Sequence, residues 1–187
     1  MASDGGPWRS TDSRLVGSAR DGDASAFHEL VDRYAGFLFA LALSLSGNAA
    51  DAEDLVQETF SGAFRGLAAF EGRASVKTWL ARILIRQSGR RLRYAHRRQA
   101  VALPLGATAE PEAGGSSPQA RAEARIDVTA AIGSLSAEHQ QVIVLREMQG
   151  LSYDEMAEVL EIPRGTVESR LFRARRELRE RLKDYLE

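Results

Sequence analysis

Residues 152–183 constrain the fold more than any other stretch, because two short helical patterns there are separated by an obligatory break. Ser152 and Glu155 form a capping box, in which each side chain accepts a hydrogen bond from the other residue's backbone N–H at a helix start. Pro163 fixes its own φ and pushes the preceding Ile162 out of the α region, so the first helix ends there. This stretch therefore predicts two helices joined by a tight turn.

The second helical pattern begins near Thr166, which is a suitable N-cap residue. Its apolar residues recur three or four positions apart and form one stripe that faces a core: Val167, Leu171, Ala174, Leu178 and Leu182. Residues 163–183 contain eight basic residues against three acidic ones, so the opposite face is positive. These features are typical of a helix-turn-helix whose second helix enters the major groove of DNA. An ordinary helical hairpin with a solvated charged face is the alternative.

Composition restricts the class of protein. A chain of 187 residues suits one or two small domains, and 44% hydrophobic and 27% charged residues are usual for a soluble globular protein. Because there is no cysteine, a disulfide framework and a thiolate metal site are both excluded. The polar N-terminus lacks the apolar core of a signal peptide, and the longest apolar run, residues 37–43, is too short to span a bilayer. We therefore expect a cytoplasmic protein without membrane insertion.

A net charge of −1 conceals strong segregation of charge along the chain. Residues 82–98 contain seven arginines and no acidic residue, whereas residues 44–64 contain four acidic residues and no basic one. A chain built in this way offers basic surfaces to nucleic-acid phosphates and an acidic surface to another protein.

Helical periodicity recurs along the chain and no stretch alternates as a strand would, so the predicted fold class is all-α. We divide the chain into an N-terminal tail and lead-in (1–22), a first helical domain (23–98), a linker (99–125) and a second helical domain (126–187). The linker is rich in proline, glycine and serine and is expected to be flexible. The helix-turn-helix completes the second domain.

Three helices are predicted in the first domain. The first runs from an N-cap at Asp23 to about Ser46, and the second covers residues 50–67 with Phe64 on its inner side. The third begins at a cap by Ser75 and carries a basic stripe on one face. The stripe consists of Arg82, Arg86, Arg90, Arg93 and Arg97.

Residues 51–60, DAEDLVQETF, resemble the core-polymerase-binding segment of bacterial sigma factors, most closely the extracytoplasmic-function (ECF) group, group IV of the primary-sigma family. The resemblance continues in the family's order through WLARI (79–83), residues 146–153 and GTVESRLFRAR (165–175). It implies an alternative sigma factor with a region 2-like and a region 4-like domain. Such a protein binds core RNA polymerase, directs promoter recognition in a stress or envelope response, and is controlled by an anti-sigma factor.

The resemblance implies that the acidic helix face binds core RNA polymerase, with the β′ coiled coil and the β flap as contacts on the enzyme. The residues implied are Asp51, Glu53, Asp54, Gln57 and Glu58. The alternative for these side chains is a solvated surface face, the usual place for acidic residues on a helix.

The loop 70–75 and the helix after it are implied to bind the upstream strand of the −10 element, where a base must be unstacked and held. The residues implied are Phe70, Arg73, Ser75, Lys77, Arg82, Arg86, Arg90 and Arg93. Arg86 and Arg90 stand where the group commonly has Asn and Asp, so the base preference is expected to be unusual. A plain connector and a merely solubilising stripe are the alternatives, and Trp79 is expected in the core.

The second helix of the helix-turn-helix is implied to read the −35 element. The residues implied are Arg146, Tyr153, Arg164, Thr166, Glu168, Ser169, Arg170, Phe172, Arg173 and Arg175. Ser169, Phe172 and Arg173 match base-reading positions, and an arginine there suits a bidentate contact with guanine. Glu168 departs from the family, and either accepts a hydrogen bond from a cytosine amino group or pairs with Arg164 or Arg175.

Two other classes of function are weaker alternatives. A stand-alone transcriptional regulator would use the same helix-turn-helix but leaves the acidic helix and the arginine stripe unexplained. An enzyme is disfavoured because the three histidines lie in unrelated segments without metal-ligand spacing, and no glycine-rich phosphate loop follows a strand. We expect no catalytic residue, no metal and no cofactor.

Overall fold

The computed structural model describes the backbone of residues 7–99, 128 and 130–183, and the side chains of residues 11–89, 128 and 130–183. Every regular element in these ranges is helical, which confirms the predicted all-α class. Residues 100–125 of the predicted linker lie outside them, as do the side chains of Arg90, Arg93 and Arg97. Among the described helices, none combines the length and apolarity that a bilayer crossing requires.

Four helices and a short 3-10 turn precede the predicted linker: α1 (Pro7–Arg20), α2 (Ala24–Ser46), α3 (Ala49–Gly66), the 3-10 turn (Leu67–Ala69) and α4 (Val76–Gln99). After it, residues 130–133 are helical, and the described residues then form three further helices and a π-helical segment: α5 (Ala137–Ile143), the π-helical segment (Val144–Met148), α6 (Tyr153–Leu160) and α7 (Arg164–Arg181).

Helix α1 is an element that the sequence analysis treated only as a tail and lead-in. It packs against α2 through the buried residues Leu15, Val16 and Ala19. Its Asp12 is also buried, accepting a hydrogen bond from Arg33 Nη1 at 2.6 Å and another from the Tyr34 hydroxyl. Burial and the bond to Asp12 raise the pKa of Tyr34 above its ordinary value. The first helical unit therefore extends to the N-terminal side of Asp23.

The predicted limits of α2 are confirmed. Asp23 Oδ1 accepts hydrogen bonds from Ser25 N at 2.9 Å and Ala26 N at 3.3 Å, as an N-cap does. Gly47, at φ 77, ends the helix in the left-handed conformation that a side chain would disfavour. Asn48 then caps α3, because its Oδ1 accepts from Asp51 N at 2.8 Å.

Helices α3 and α4 lie close together. A Cβ at Gly62 would lie 3.3 Å from side-chain atoms of Gln87 and Ile83, so a small residue suits this crossing. The fully buried Thr59 has its Oγ1 within 2.9 Å of Gln87 Oε1, and Gln87 Nε2 donates to Glu58 O at 3.1 Å. These contacts fix α4 against α3.

The prediction that Phe64 faces inward is wrong, because its side chain is 61% exposed. The buried stripe of α3 passes through Thr59 and Ala63, and Phe64 lies one residue further round the helix, at the edge of that stripe. Its ring meets the edge of Phe27, with centroids 5.1 Å apart and planes at 74°.

The capping box predicted at the start of α6 is present. Glu155 N donates to Ser152 Oγ at 3.2 Å, and Ser152 N donates to Glu155 Oε2 at 2.8 Å. The prediction that Thr166 caps α7 is wrong: the helix begins at Arg164, and Thr166 N donates to Pro163 O at 2.8 Å. Since Pro163 already has the extended backbone of an N-cap residue, φ −58 and ψ 145, the helix starts before Thr166 is reached.

Replacing Ser152 with alanine should lower the free energy of unfolding by about 1 kcal/mol, because one N–H group at the start of α6 loses its partner. Chemical denaturation followed by circular dichroism measures the change. Ser169→Ala is the matched control, since the Ser169 hydroxyl only donates back to Thr166 O within α7. An equal loss in both variants would contradict the capping role.

Candidate polymerase and nucleic-acid surfaces

Helix α3 presents its polar side chains to solvent. Its buried residues include Ala52 and Leu55, whereas all five side chains predicted to bind polymerase are exposed. These are Asp51, Glu53, Asp54, Gln57 and Glu58. The acidic surface, defined here as these five residues, is therefore a surface feature rather than part of the protein interior.

An apolar groove of about 500 Å³ adjoins the acidic surface between α2 and α3. Gln57 belongs to both features, and Phe27, Val31, Phe60 and the exposed Phe64 supply the apolar lining. A partner segment that reached this part of the protein would meet carboxylates and apolar carbon side by side. The groove was not predictable from helical periodicity, which places Phe64 on the inner side of α3.

The loop between the 3-10 turn and α4 is shaped by aromatic packing and by one glycine. The Phe70 ring lies 4.5 Å from the ring of the half-buried Trp79, with planes at 31°. Gly72 adopts φ +72, which an L side chain rarely takes. Ser75 Oγ accepts from Thr78 N at 3.0 Å and caps α4, so this predicted site residue has a structural contact.

Two basic side chains near the loop have contacts within the protein. Arg73 is exposed and its Nη2 lies 2.5 Å from Glu71 Oε2. Lys77 is half-buried, with its Nζ 4.6 Å from the centre of the Phe37 ring. Both charges remain at the surface next to the loop.

Arg20, at the end of α1, holds the 3-10 turn and the start of the loop. Its Nη2 donates to the carbonyl oxygen of Phe70 and lies 3.4 Å from that of Leu67. A cavity of about 390 Å³ lies beside this contact, with Asp12, Arg20 and Ser75 among its lining residues. No signal in the sequence pointed to Arg20, because its partners are backbone carbonyls some fifty residues away.

The described part of the arginine stripe has two side chains, and their environments differ. Arg82 is half-buried, and its Nε has no hydrogen-bond partner within the described residues. Arg86 is exposed and pairs with Glu161, which follows α6. Arg90 and Arg93 lie on the backbone of α4, but their side chains are outside the described residues.

The outward face of α7 carries the residues predicted to read bases. Ser169 and Arg173 are exposed, and Phe172 is 69% exposed. Within the described residues, neither Phe172 nor Arg173 has a hydrogen bond, ion pair or ring contact. The opposite stripe, Val167, Leu171 and Ala174, is buried. Arg173 is thus a guanidinium on the surface whose hydrogen-bonding capacity is unused among these residues.

The other arginines of the helix-turn-helix make ion pairs. Arg170 Nη2 lies 3.0 Å from Glu138 Oε1, and Arg175 Nη2 lies 2.6 Å from Glu147 Oε1. Arg164 contacts both Asp154 and Glu168, each at 3.0 Å. Of the alternatives for Glu168, the structure therefore contains its pairing with Arg164 and not with Arg175.

Arg146 lies in the π-helical segment and Tyr153 is the first residue of α6, on either side of the turn that joins them. Arg146 Nη1 donates to Leu151 O at 2.8 Å, and its guanidinium carbon lies 5.2 Å from the centre of the Tyr153 ring. Arg164 approaches the same ring at 5.8 Å. These contacts brace the turn and bring both arginines to the same aromatic ring. The described residues contain no cluster of acidic or histidine side chains able to hold a metal ion.

Two family models match the chain: Sigma-70 region 2 over residues 30–98 and Sigma-70, region 4 over residues 125–178. The ECF RNA polymerase sigma-E factor of Escherichia coli strain K12 is 38% identical over 174 residues, covering 88% of this chain and 91% of that protein. The protein of the same name from Haemophilus influenzae is 34% identical, covering 88% and 92%.

Two solved structures share the fold. CnrH, in complex with the cytosolic domain of CnrY, superposes with a TM-score of 0.69 and 29% identity, covering 93% of this chain and 98% of CnrH. The sigma factor RpoE, in complex with the anti-sigma factor NepR from Bartonella quintana, superposes with a TM-score of 0.66 and 31% identity. The match covers 84% of this chain and 96% of the RpoE chain.

The chain belongs to the ECF family of RNA polymerase sigma factors. It is an alternative sigma factor, and the resemblance seen in the sequence is confirmed. Sigma factors bind RNA polymerase and promoter DNA.

Replacing Arg20 with glutamine should increase hydrogen exchange of the backbone amides at residues 67–75, because the carbonyls of Leu67 and Phe70 lose their guanidinium partner. A loss of about 1 kcal/mol corresponds to roughly fivefold faster exchange. Hydrogen–deuterium exchange with mass spectrometry measures it. Arg14→Gln, an exposed change on the same helix, is the control. Unchanged exchange in the Arg20 variant would show that the loop keeps its shape without this contact.

Proposed function

We propose that this sigma factor acts in the cytoplasm and contacts three surfaces at once: core polymerase through α3, the −10 strand through the loop and α4, and the −35 duplex through α7. The observation that carries the proposal is the separation of exposed charge. Carboxylates line the outer side of α3, and guanidiniums line the outer side of α7. Oppositely charged faces on separate helices suit a protein that bridges a basic protein surface and DNA.

The proposed polymerase contact is the acidic surface, docking on the β′ coiled coil, with the β flap as a further contact on the enzyme. Asp51, Asp54 and Glu58 recur at helical spacing and are exposed along one side of α3. The carboxylates would steer the encounter and the neighbouring apolar groove would be buried on binding, since such interfaces combine a charged rim with an apolar centre. Failure of the unaltered chain to pull down core polymerase would refute the docking.

The proposed −10 contact is the loop with the first half of α4. Exposed Arg73 and half-buried Lys77 would neutralise phosphates, and Phe70 with Trp79 offers aromatic surface for an unstacked base. Arg82 and Arg86 continue the basic line along α4. Arg90 and Arg93 remain predicted members of this surface on their position in the sequence.

The proposed −35 contact is the outward face of α7. Ser169, Phe172 and Arg173 are exposed next to one another on this helix, the position of base-reading residues in helix-turn-helix proteins. The paired arginines would exchange carboxylates for phosphates, because an exposed ion pair contributes only about 0–1 kcal/mol. Glu168 would then either stay with Arg164 or turn toward a base.

An anti-sigma factor is the proposed regulator. The structural relative RpoE was solved with the anti-sigma factor NepR, and the RpoE chain superposes on 84% of this chain. A protein that covered the acidic surface and the α4 arginines together would block polymerase and DNA at once. This regulation would be excluded if the chain were equally active in parent cells and in cells from which every co-purifying protein had been deleted.

Replacing Asp54 and Glu58 with lysine should abolish binding of core RNA polymerase, because two attractive contacts become repulsive. Pull-down with tagged core enzyme and promoter-dependent transcription measure the effect, and circular dichroism checks that the helices remain. Asp21→Lys with Asp32→Lys, both at exposed positions off α3, is the control with the same change of net charge. Retained transcription in the Asp54/Glu58 variant would refute the docking assignment.

Replacing Arg173 with alanine should relax preference at one base pair of the −35 element, by roughly 1–3 kcal/mol, if its guanidinium reads a guanine. Binding to a library of −35 duplexes, with every position varied in turn, measures the preference. Arg179→Ala, an exposed arginine further along α7, is the control. Uniform weakening on all duplexes would mean that Arg173 contacts only phosphate.

A further inference from the structure

One ion pair joins residues that are 75 positions apart and lie on opposite sides of the predicted linker. Arg86 Nε donates to Glu161 Oε2 at 3.1 Å, and Arg86 Nη2 lies 2.5 Å from Glu161 Oε1. Two parallel bonds of this kind are the geometry in which arginine also holds a phosphate. The pair is still partly open to solvent, with side chains 56% and 45% exposed.

A second carboxylate of α6 lies over the same region of the first domain. Glu158 lines a cavity of about 450 Å³ together with Phe70, Arg73, Trp79 and Arg82. Those four residues belong to the loop and α4, so a residue of the second domain helps to line a cavity built mainly by the first. Arg82, whose Nε is buried and has no hydrogen-bond partner within the described residues, lines the same cavity.

Glu161 ends α6 in a backbone conformation that favours other residue types. Glu161 has φ 56 and ψ 42, and it is the one non-glycine residue with positive φ in the described part of the chain. Glycine or asparagine is the favoured residue where a helix ends in this conformation. A glutamate is less favourable in this conformation, and its carboxylate pairs with Arg86.

A separate contact holds the two halves together at another point. Gln140 of α5 is buried, and its Nε2 lies 3.3 Å from Leu45 O and 3.4 Å from Ser44 O. These carbonyls belong to the last turn of α2, where helix carbonyls lack partners within their own helix. Helix α4 also packs against α6, so the contact between the halves is continuous rather than a single ion pair.

We infer that the Arg82–Arg86 face of α4 is a binding surface for α6 of the same chain, and that Glu158 and Glu161 occupy it in place of DNA phosphates. The inference rests on the proposed function, because it takes α4 as the −10 surface. The same two N–H groups of one guanidinium cannot bind a carboxylate and a phosphate at the same time. The closed arrangement and the DNA-bound arrangement therefore exclude one another, and each weakens the other by the same factor.

Two variants of Glu161 separate this contact from the folding of α6. Glu161→Gln removes the charge at nearly constant shape, and Glu161→Gly removes the side chain while giving the helix end its favoured residue. Since the natural chain has no cysteine, Asp32→Cys with Lys183→Cys allows two fluorophores to report the distance between the halves by energy transfer. Fluorescence anisotropy with a labelled single-stranded 12-mer of mixed sequence reports DNA affinity.

Both Glu161 variants should lengthen the mean distance between the fluorophores and raise affinity for the single strand by about two- to fivefold, the range expected for an exposed ion pair. Added salt should lengthen the distance in the natural chain more than in the variants. Glu180→Gln, which removes an exposed charge on α7, should change neither quantity.

The two readouts distinguish failure of the inference from failure of the proposed function. Unchanged distances in both variants would overturn the part that Glu161 plays in holding α6 against α4, whatever the DNA affinity. A longer distance with unchanged affinity would overturn the exclusion and, with it, the assignment of α4 to the −10 strand. Because the distance is measured on the free chain, polymerase binding does not enter either result.

Discussion

Burial of one apolar stripe on each helix is the constraint on which the rest of this structure depends. In α7, Val167, Leu171 and Ala174 face inward, so every intervening position is free to carry charge toward solvent. In α3, Leu55 and Ala63 do the same for the acidic surface. The apolar stripe sets which way each helix turns, and the direction of the polar side chains follows from it.

Guanidinium groups on the proposed DNA surfaces are mostly held by carboxylates of the same chain. Arg164, Arg170 and Arg175 each have an acidic partner within 3.0 Å. Such pairs keep dense positive charge from repelling itself in the free protein. Because these pairs lie at the protein surface, a phosphate would replace a carboxylate at little cost in the proposed complex, and such binding would weaken as salt increases.

Local signals in the sequence were sufficient for much of the fold. The caps at Asp23 and Ser152 and the left-handed glycine at Gly47 each act within a few residues of a helix end, so spacing alone reveals them. Features that depend on distant partners were not accessible in this way. Helix α1 becomes recognisable only when α2 covers its apolar side, and the Arg86–Glu161 pair joins segments on either side of a linker. The family resemblance supplied the roles of the exposed residues, which geometry and charge support without testing them individually.

The close crossing of α3 and α4 at Gly62 couples the two contacts proposed for these helices. The helix proposed to meet the enzyme and the helix proposed to meet the melted strand touch there, and Gln87 of α4 bonds to the Thr59 hydroxyl and the Glu58 carbonyl of α3. Neither helix can slide along the other without breaking that link. The two helices therefore keep a fixed spacing. If α3 binds polymerase and α4 binds the −10 strand as proposed, docking of α3 would set which nucleotide lies opposite α4.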